Sequence, residues 1–257
     1  MNRITRLFAT KRQGILSVYF TAGYPWAEAT GVILKALETR GVDLVEIGIP
    51  FSDPLADGPV IQQASARALA NGMTLRRLFV QLEGIRQVVR MPLILMGYLN
   101  PIMQFGFENF CRRCEEVGID GMIIPDLPFA DYLASYRLVA ERYGLKVILL
   151  ITPETSQERI REIDAQTDGF LYMVSSASTT GAQEVFDSEK LAYFRRVSRM
   201  SLRNPRLVGF GISNKATCEA AMAHASGVIV GSRFVQLLAG ASSVEEAVEQ
   251  LLHDLSH

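Results

Sequence analysis

Eight short apolar runs, each followed by a longer stretch of helical periodicity, predict an α/β fold built as a single (β/α)8 TIM barrel with extra helices. The chain has 257 residues, about the length that eight such units require. No stretch rich in Pro, Gly or Ser separates two halves, so we expect one domain over residues 1–257. The Gly-x-Gly-x-x-Gly turn expected of a doubly wound sheet does not follow the first run.

The apolar runs are the predicted strands: Ile15–Thr21, Leu44–Pro50, Leu93–Tyr98, Gly121–Asp126, Lys146–Thr152, Phe170–Ser175, Arg206–Gly211 and Gly227–Ser232. Predicted helices between them include Trp26–Arg40, Phe107–Val117, Asp131–Tyr143, Ser156–Gln166, Lys190–Met200 and Lys215–His224. The connections after strands 2 and 6 are extended, and the first has room for a loop and two helices, Pro59–Asn71 and Thr74–Arg90. Because the loops that follow barrel strands form the functional face, we expect both connections to carry functional insertions.

Composition excludes several classes of protein. Twenty-six basic and twenty-seven acidic residues give a net charge of −1, so nothing favours binding to nucleic acid or to an anionic membrane. The longest uncharged run, Met91–Phe107, contains prolines and glycines that a membrane span would not tolerate. Three cysteines are too few for a disulfide framework, and Met1–Gly14 lacks the apolar core of a signal peptide. We therefore expect a cytoplasmic protein.

Glu46 is the first candidate catalytic residue, and it lies in the second predicted strand. Alternation directs the β-branched residues Val45, Ile47 and Ile49 toward the helix layer, so Glu46 points into the barrel. A lone carboxylate there is costly unless it is paired or protonated, and its pKa is expected to be raised. No other strand offers an inward Arg or Lys at mid-length, which favours a general acid/base over a structural ion pair.

The loop Pro50–Pro59 follows this strand on the predicted functional face. It contains two acids, three prolines and a glycine, a composition typical of a stiff, turn-rich loop. Asp53 or Asp57 is a candidate second carboxylate to act with Glu46. The alternative is that each aspartate caps a turn or a helix.

Other kinds of catalytic group are missing from the places where they would be needed. None of the lysines lies at the carboxyl end of a predicted strand, so Schiff-base chemistry has no obvious nucleophile. The lysines are Lys11, Lys35, Lys146, Lys190 and Lys215. The histidines fall near the last helices, and no spacing indicates a metal site: His224, His253 and His257. Cys111 and Cys114 lie in mid-helix without a second pair, which is typical of ordinary helix positions.

Two glycine-containing turns predict a phosphate site. Gly209–Ser213 ends strand 7 and opens a helix, and Gly231-Ser232 does the same after strand 8. Glycine lets the backbone approach a ligand, and Ser213 or Ser232 can cap a helix or donate a hydrogen bond. Helix N-termini after strands 7 and 8 commonly bind phosphate in barrels, so we expect a phosphorylated small molecule. Simple helix capping is the alternative.

The block Glu46–Pro59, with the sequence EIGIPFSDPLADGP, resembles the signature of the tryptophan synthase alpha chain family. Further matches are TAGYP at 21–25, MGYLNP at 96–101, DLP at 126–128 and GFGIS at 209–213. The resemblance implies a barrel that cleaves indole-3-glycerol phosphate to indole and glyceraldehyde 3-phosphate. It also implies that indole passes to a pyridoxal-phosphate-dependent beta chain in an αββα complex, with no cofactor in this chain.

The resemblance also implies residue roles. Glu46 would be the acid/base that serves indole C3 and the glycerol hydroxyl, Asp57 would stabilise the developing indolenine N–H, and Tyr172 would lie at the reacting end. The implied substrate-binding positions are Tyr19, Tyr98 and Phe210 at the indole, Gly181, Gly211, Gly231 and Ser232 at the phosphate, and Thr180 beside Gly181. The positions implied to face the beta chain are Asp53 and Pro128.

The inventory of side chains agrees with this chemistry. A retro-aldol cleavage needs an electron sink, and without a Schiff-base lysine or a metal the substrate itself must supply it. Protonation of indole C3 makes the ring an iminium-like acceptor, and a nearby carboxylate can offset the charge.

The segment after strand 6 departs from the family pattern. Where the family usually reads Val-Ser-x-x-Gly-Val-Thr-Gly in its active-site lid, this chain reads VSSASTTG over 174–181, with Ser178 for the glycine and Thr179 for the valine. Ser176 stands at a position that is usually basic. This departure motivates an alternative, a weakly catalytic or non-catalytic barrel that mainly activates a beta chain. An unrelated phosphate-binding barrel enzyme is disfavoured by the block at 46–59.

Overall fold

In the computed structural model, which describes residues 1–175 and 185–256, eight parallel strands pair in chain order into a closed barrel. The strands are β1 Ile15–Thr21, β2 Leu44–Gly48, β3 Leu93–Met96, β4 Gly121–Ile123, β5 Lys146–Ile151, β6 Leu171–Val174, β7 Arg206–Gly209 and β8 Gly227–Val230. Each begins at the predicted residue or one later, and most end one to three residues before the predicted end, where the chain turns into a loop. The predicted (β/α)8 barrel is therefore confirmed.

Helices surround the barrel and also close one end. They are α1 Arg3–Thr10, α2 Ala29–Thr39, α3 Pro59–Ala70, α4 Leu75–Leu82, α5 Leu99–Phe105, α6 Phe107–Val117, α7 Phe129–Asp131, α8 Arg137–Arg142, α9 Gln157–Gln166, α10 Ser188–Ser198, α11 Lys215–Met222, α12 Ser232–Gly240 and α13 Val244–Ser256. A 3-10 turn at Ile85–Gln87 follows α4, and a π-helical turn at Tyr132–Tyr136 joins α7 to α8. None of the helices in the described ranges is both long and apolar enough to cross a membrane.

Two helix predictions are wrong in detail. The helix expected over Thr74–Arg90 ends at Leu82, because Gly84 adopts a left-handed φ of 74° that an α-helix does not accommodate. The helix expected over Asp131–Tyr143 is interrupted by the π-helical turn. The helix α5, which contains Pro101, was not among the predicted helices. Proline is tolerated there because the N–H groups of a first helical turn have no intrahelical partner.

The buried side chains form two layers, as alternation along the strands predicts. Val45, Ile47 and Ile49 belong to the layer between the strands and the helices. Leu44 belongs to the cluster inside the barrel, and Glu46 lies on the same inward face. The orientation predicted for Glu46 is therefore confirmed.

The amino-terminal end of the barrel is closed by α1. Ile4 is fully buried in the inner cluster, and the ring of Phe8 lies 5.8 Å from that of Phe170. Asp120, which is 3% exposed, connects several elements at this end of the barrel through hydrogen bonds. It accepts hydrogen bonds from Arg86 at 2.6 Å, from Arg3 at 3.1 Å and from the Leu93 N–H at 3.0 Å.

We expect Asp120→Ala to lower the free energy of unfolding by about 3–5 kcal/mol, since it leaves two guanidinium groups without their buried partner. Urea denaturation measures the loss. Glu162→Ala is the control, because it removes an exposed ion pair with Arg159 that contributes at most about 1 kcal/mol. Equal losses in the two variants would show that Asp120 does not hold the end of the barrel.

Candidate active site

Glu46 is fully buried in the middle of β2, inside the barrel. The Ser17 Oγ donates a hydrogen bond to its Oε1 at 3.0 Å, and its Oε2 has no hydrogen-bond partner. Burial raises the pKa of Glu46 to about 8, although the hydrogen bond from Ser17 works in the opposite direction. The side chain is therefore mainly protonated at neutral pH and can give up a proton.

Asp57 lies on the loop that follows β2. The Tyr98 hydroxyl donates to its Oδ2 at 3.0 Å and accepts from the Ala56 N–H at 2.9 Å, which fixes both side chains. Burial raises the pKa of Asp57 to about 6, and the hydrogen bond from Tyr98 opposes that rise. At neutral pH, Asp57 is therefore mainly ionised and Glu46 mainly protonated. Two carboxyl groups whose pKa values are separated in this way are typical of an acid/base pair.

Tyr19 and Tyr172 occupy the barrel interior beside these carboxyl groups. Burial is the main cause that raises the pKa of each phenol, and the charges of Glu46 and Asp57 add to it, so both stay protonated. Their hydroxyls lie where neighbouring strands carry glycine. A Cβ at Gly48 would lie 2.1 Å from the Tyr19 hydroxyl, and the equivalent distance from Gly209 to the Tyr172 hydroxyl would be 2.3 Å.

A cavity opens at the carboxyl ends of the strands, beside these groups. Its walls are formed by Tyr19, Asp57, Gly58, Pro59, Val60, Ile61, Met96, Tyr172, Phe210, Gly211, Ile212, Ile229, Gly231, Ser232 and Arg233. Glu46 is not among these wall residues. Most of the wall residues are apolar, and Asp57, Ser232 and Arg233 are among the polar ones, a composition typical of small-molecule sites.

Phe210 is held in a strained backbone conformation at the end of β7. Its φ of 68° is rare for a bulky residue and costs roughly 1–3 kcal/mol. The Ser175 hydroxyl donates to the Phe210 carbonyl at 2.7 Å, and the Phe210 ring packs edge-on against Tyr172 with 6.2 Å between ring centres. These contacts hold the ring in the cavity wall.

The two helix N-termini predicted to bind phosphate differ. The N-terminus of α11 has a capping box, in which the Asn214 side chain accepts from the Thr217 N–H and the Asn214 N–H donates to the Thr217 hydroxyl. Ser213 does not line the cavity. The N-terminus of α12 has no side-chain cap and faces the cavity at Gly231 and Ser232. Of the two, the α12 N-terminus is therefore the one that an anion in the cavity can reach without displacing a side-chain cap.

The remaining predicted residues fall in three places. Asp53 and Pro128 are exposed and lie away from the cavity, and the Ser52 hydroxyl donates to Asp53 at 2.5 Å. Tyr98 lies behind Asp57 instead of in the wall. Thr180 and Gly181, like the departures from the family pattern at 176, 178 and 179, lie outside the described residues.

Sequence reasoning missed several residues of the site. Ser17 was missed, although alternation along β1 places it inward with Tyr19 and would have indicated it. The apolar wall residues, such as Met96 and Ile229, carry no signal that separates them from the rest of the core. Arg233 at the edge of the cavity was also missed; its guanidinium pairs with Asp254 on α13 at 2.6 Å.

The cysteines and the other potential ligands do not form a second centre. Cys111 and Cys114 are buried on the core face of α6, and burial raises the pKa of the Cys111 thiol to about 12. Over residues 1–175 and 185–256, no group of three or more His, Cys, Asp or Glu side chains is arranged to hold a metal ion.

Comparison with known proteins places this geometry in a family. A profile of the tryptophan synthase alpha chain matches residues 6–256. The tryptophan synthase alpha chain of Parabacteroides distasonis is 66% identical over 255 residues, which is 99% of each chain. That of Bacteroides thetaiotaomicron is 63% identical over 251 residues, 98% of each chain.

Solved structures agree. The alpha subunit of tryptophan synthase from Legionella pneumophila superposes with a TM-score of 0.89 at 35% identity, covering 99% of this chain and 97% of that one. A chain of the tryptophan synthase complex from Pyrococcus furiosus gives a TM-score of 0.85 at 34% identity, covering 95% and 98%. With the barrel, the two carboxyl groups and the open helix N-terminus in place, these matches show that the chain belongs to the tryptophan synthase alpha chain family.

Proposed function

We propose that this protein is the alpha subunit of a tryptophan synthase and cleaves indole-3-glycerol phosphate to indole and glyceraldehyde 3-phosphate. The observation that carries the proposal is the pair Glu46 and Asp57, whose pKa values of about 8 and about 6 leave one protonated and one ionised beside the same cavity. The relatives named above support the choice of substrate.

The reaction begins with a proton transfer from Glu46. Its carboxyl group gives a proton to C3 of the indole ring, which leaves an iminium at the ring nitrogen. The Asp57 carboxylate accepts a hydrogen bond from the ring N–H and offsets the new positive charge. Glu46 does not line the cavity in the absence of a ligand, so we propose that its side chain turns toward the substrate on binding.

The second step breaks the carbon–carbon bond. The Glu46 carboxylate now takes the proton from the glycerol hydroxyl next to the ring, and the O–H electrons form the aldehyde C=O. The bond between that carbon and indole C3 breaks, and its electrons return to the ring and neutralise the iminium. Indole and the aldehyde are released, and Glu46 is again protonated, so that the side chain is ready for the next cycle.

The phosphate would bind at the glycine turns that line the cavity after β7 and β8. The first-turn N–H groups of α12 have no side-chain cap, and the positive end of the helix dipole favours an anion there. Gly231, Ser232 and the Gly211 turn supply the contacts. Asp57, on the loop after β2, lines the same cavity as the α12 N-terminus, so a substrate with its phosphate at α12 would have its indole ring within the cavity that Asp57 borders.

The partner we propose is a tryptophan synthase beta chain in an αββα tetramer, where pyridoxal phosphate belongs to the beta chain and no cofactor to this one. Asp53 and Pro128 are both exposed and free to meet a partner. Leu55, on the same loop as Asp53, is 88% exposed, which is unusual for a leucine and suits a surface that a partner covers. We place the complex in the cytoplasm.

We expect Glu46→Gln to lower kcat at least ~10²-fold, because an amide keeps the shape of the side chain and cannot transfer a proton. Asp57→Asn should also lower kcat, since it removes the charge that offsets the iminium. Indole release is measured with and without a cognate beta chain, and circular dichroism checks the fold. Glu162→Gln, on the exposed face of α9, is the control and should leave kcat unchanged. Cleavage by Glu46→Gln at the wild-type rate would make Glu46 a structural residue.

We further propose that the departures at Ser176, Ser178 and Thr179 weaken closure of the lid and leave the isolated chain a slow lyase. Loss of a glycine restricts the backbone, and loss of a valine and a basic residue removes closing contacts. A barrel that serves only to activate a beta chain is not favoured, because Glu46 and Asp57 are both retained at the cavity.

Restoring the family pattern tests this idea. If closure is unfavourable, a gain of ~1.4 kcal/mol raises the closed population about tenfold, so Ser178→Gly with Thr179→Val should raise the rate of the isolated chain by up to that factor. The measurement is indole release without a beta chain. No rise in the double variant, or an isolated wild type as fast as its complex, would mean that the substitutions are neutral.

A further inference from the structure

A groove between α9 and α10, on the outside of the barrel, is lined by a cluster of arginine side chains. It has a volume of about 610 Å³ and is lined by Gln157, Arg161, Ala192, Arg195, Arg196, Arg199, Met200 and Ser201. None of these residues lines the cavity of the candidate active site. The volume lies within the range of small-molecule sites, and four of the eight side chains are guanidinium groups.

The four arginines are not neutralised by carboxylates. Elsewhere arginines pair across helices, as Arg40 does with Glu249. Among the described residues, however, Arg161, Arg195, Arg196 and Arg199 form no ion pair, although acidic residues slightly outnumber basic ones in the chain.

Glu158 lies next to the groove and does not alter this conclusion. Its pKa is lowered mainly by hydrogen bonds from its own amide and from Ser156, and the charge of Arg161 contributes least. Glu158 and Arg161 form no ion pair. The groove therefore presents four guanidinium groups on one surface, none of them in an ion pair with a carboxylate among the described residues.

Part of this cluster is held in place before any ligand arrives. The guanidinium of Arg196 donates to the carbonyls of Pro153 at 2.6 Å and Thr155 at 3.1 Å, and lies 5.4 Å from the centre of the Tyr193 ring. The Nε of Arg195 donates to the Leu191 carbonyl at 3.2 Å. Each guanidinium has five N–H donors, so these bonds fix the groups and leave donors free for a ligand.

The chemistry of the lining selects phosphate. Guanidinium groups bind phosphate oxygens in a two-pronged geometry, and Gln157 and Ser201 add neutral donors. Ala192 and Met200 are the only apolar side chains of the lining, so it offers little to an aromatic ligand. A single phosphate would offset only part of four charges, whereas two or three linked phosphates match them. A long nucleic acid is disfavoured by the net charge of −1.

We propose that this groove binds a small anion that carries two or more linked phosphates. The proposal is independent of the function assigned to the barrel interior. The ligand class is defined by the oligophosphate group, whether it comes from inorganic polyphosphate or from a nucleotide. Titration with inorganic tripolyphosphate and with adenosine triphosphate, in separate arms, distinguishes these sources.

Isothermal titration calorimetry of the full chain tests the proposal, with glycerol phosphate in excess to occupy the phosphate site of the barrel. We expect wild type to bind tripolyphosphate, and Arg195→Gln with Arg199→Gln to weaken binding at least ~10-fold, because two charge-assisted contacts are lost. The affinity of Arg195→Lys with Arg199→Lys should lie between that of wild type and that of the double glutamine variant. Lysine keeps the positive charge, but it cannot bind phosphate oxygens in the two-pronged geometry of a guanidinium group.

The matched control is Arg12→Gln with Arg90→Gln, which removes the same charge from two exposed arginines outside the groove. It should retain wild-type affinity. Equal affinity in the groove variant and wild type, an equal loss in the control, or no binding by wild type would overturn the proposal. Binding of duplex DNA with no binding of tripolyphosphate would overturn it as well. If the double groove variant does not fold, Arg199→Gln alone is used and should weaken binding several-fold.

Discussion

The arrangement of the candidate active site depends on one constraint: the Glu46 carboxyl group is buried inside a closed barrel, with the Ser17 hydroxyl as its hydrogen-bond partner. Burial of a carboxyl group with so few partners costs free energy. Glu46 is fully buried and its Oε2 has no hydrogen-bond partner, so the protonated form is favoured at neutral pH. A leucine at this position would pack with less cost. A buried polar atom without a partner is rare in proteins, and it is expected where the group acts on a ligand instead of stabilising the fold.

The surrounding residues arrange the two carboxyl groups for different roles. Asp57 is held by Tyr98 in a less enclosed place, so its pKa stays below neutrality while that of Glu46 lies above it. The strain at Phe210 has a similar explanation, because the backbone accepts an unfavourable φ to keep a ring in the wall of the cavity. These costs fall on residues inside the barrel and at the carboxyl end of β7. At the opposite end, Asp120 is fully hydrogen-bonded and contributes stability.

Features that depend on residues close together in the sequence could be predicted, and features that depend on residues far apart in the sequence could not. The strands and the inward direction of Glu46 depend on alternation within a few residues, and they were predicted correctly. The loop composition alone left the choice between Asp53 and Asp57 open, because it depends on Tyr98, some forty residues further along the chain; only the family resemblance selected Asp57. The positive φ of Phe210 depends on Ser175 and Tyr172 on a neighbouring strand, and no local pattern indicates it. The arginines of the outer groove come from two helices, and only the fold brings them together.

The central claim is that burial keeps Glu46 protonated at neutral pH. Its pKa can be measured by infrared difference spectroscopy, following the C=O stretch of protonated carboxyl groups in wild type minus Glu46→Gln. A pKa raised in the folded state means that the native protein binds more protons than the unfolded chain, so stability should also fall as the pH rises from about 4.5 to about 8. We predict that the difference band persists at pH 7 and disappears with a midpoint near 8. A midpoint near the ordinary value of 4.5 would contradict the account, because Glu46 would then be ionised at neutral pH and unable to begin the reaction by donating a proton.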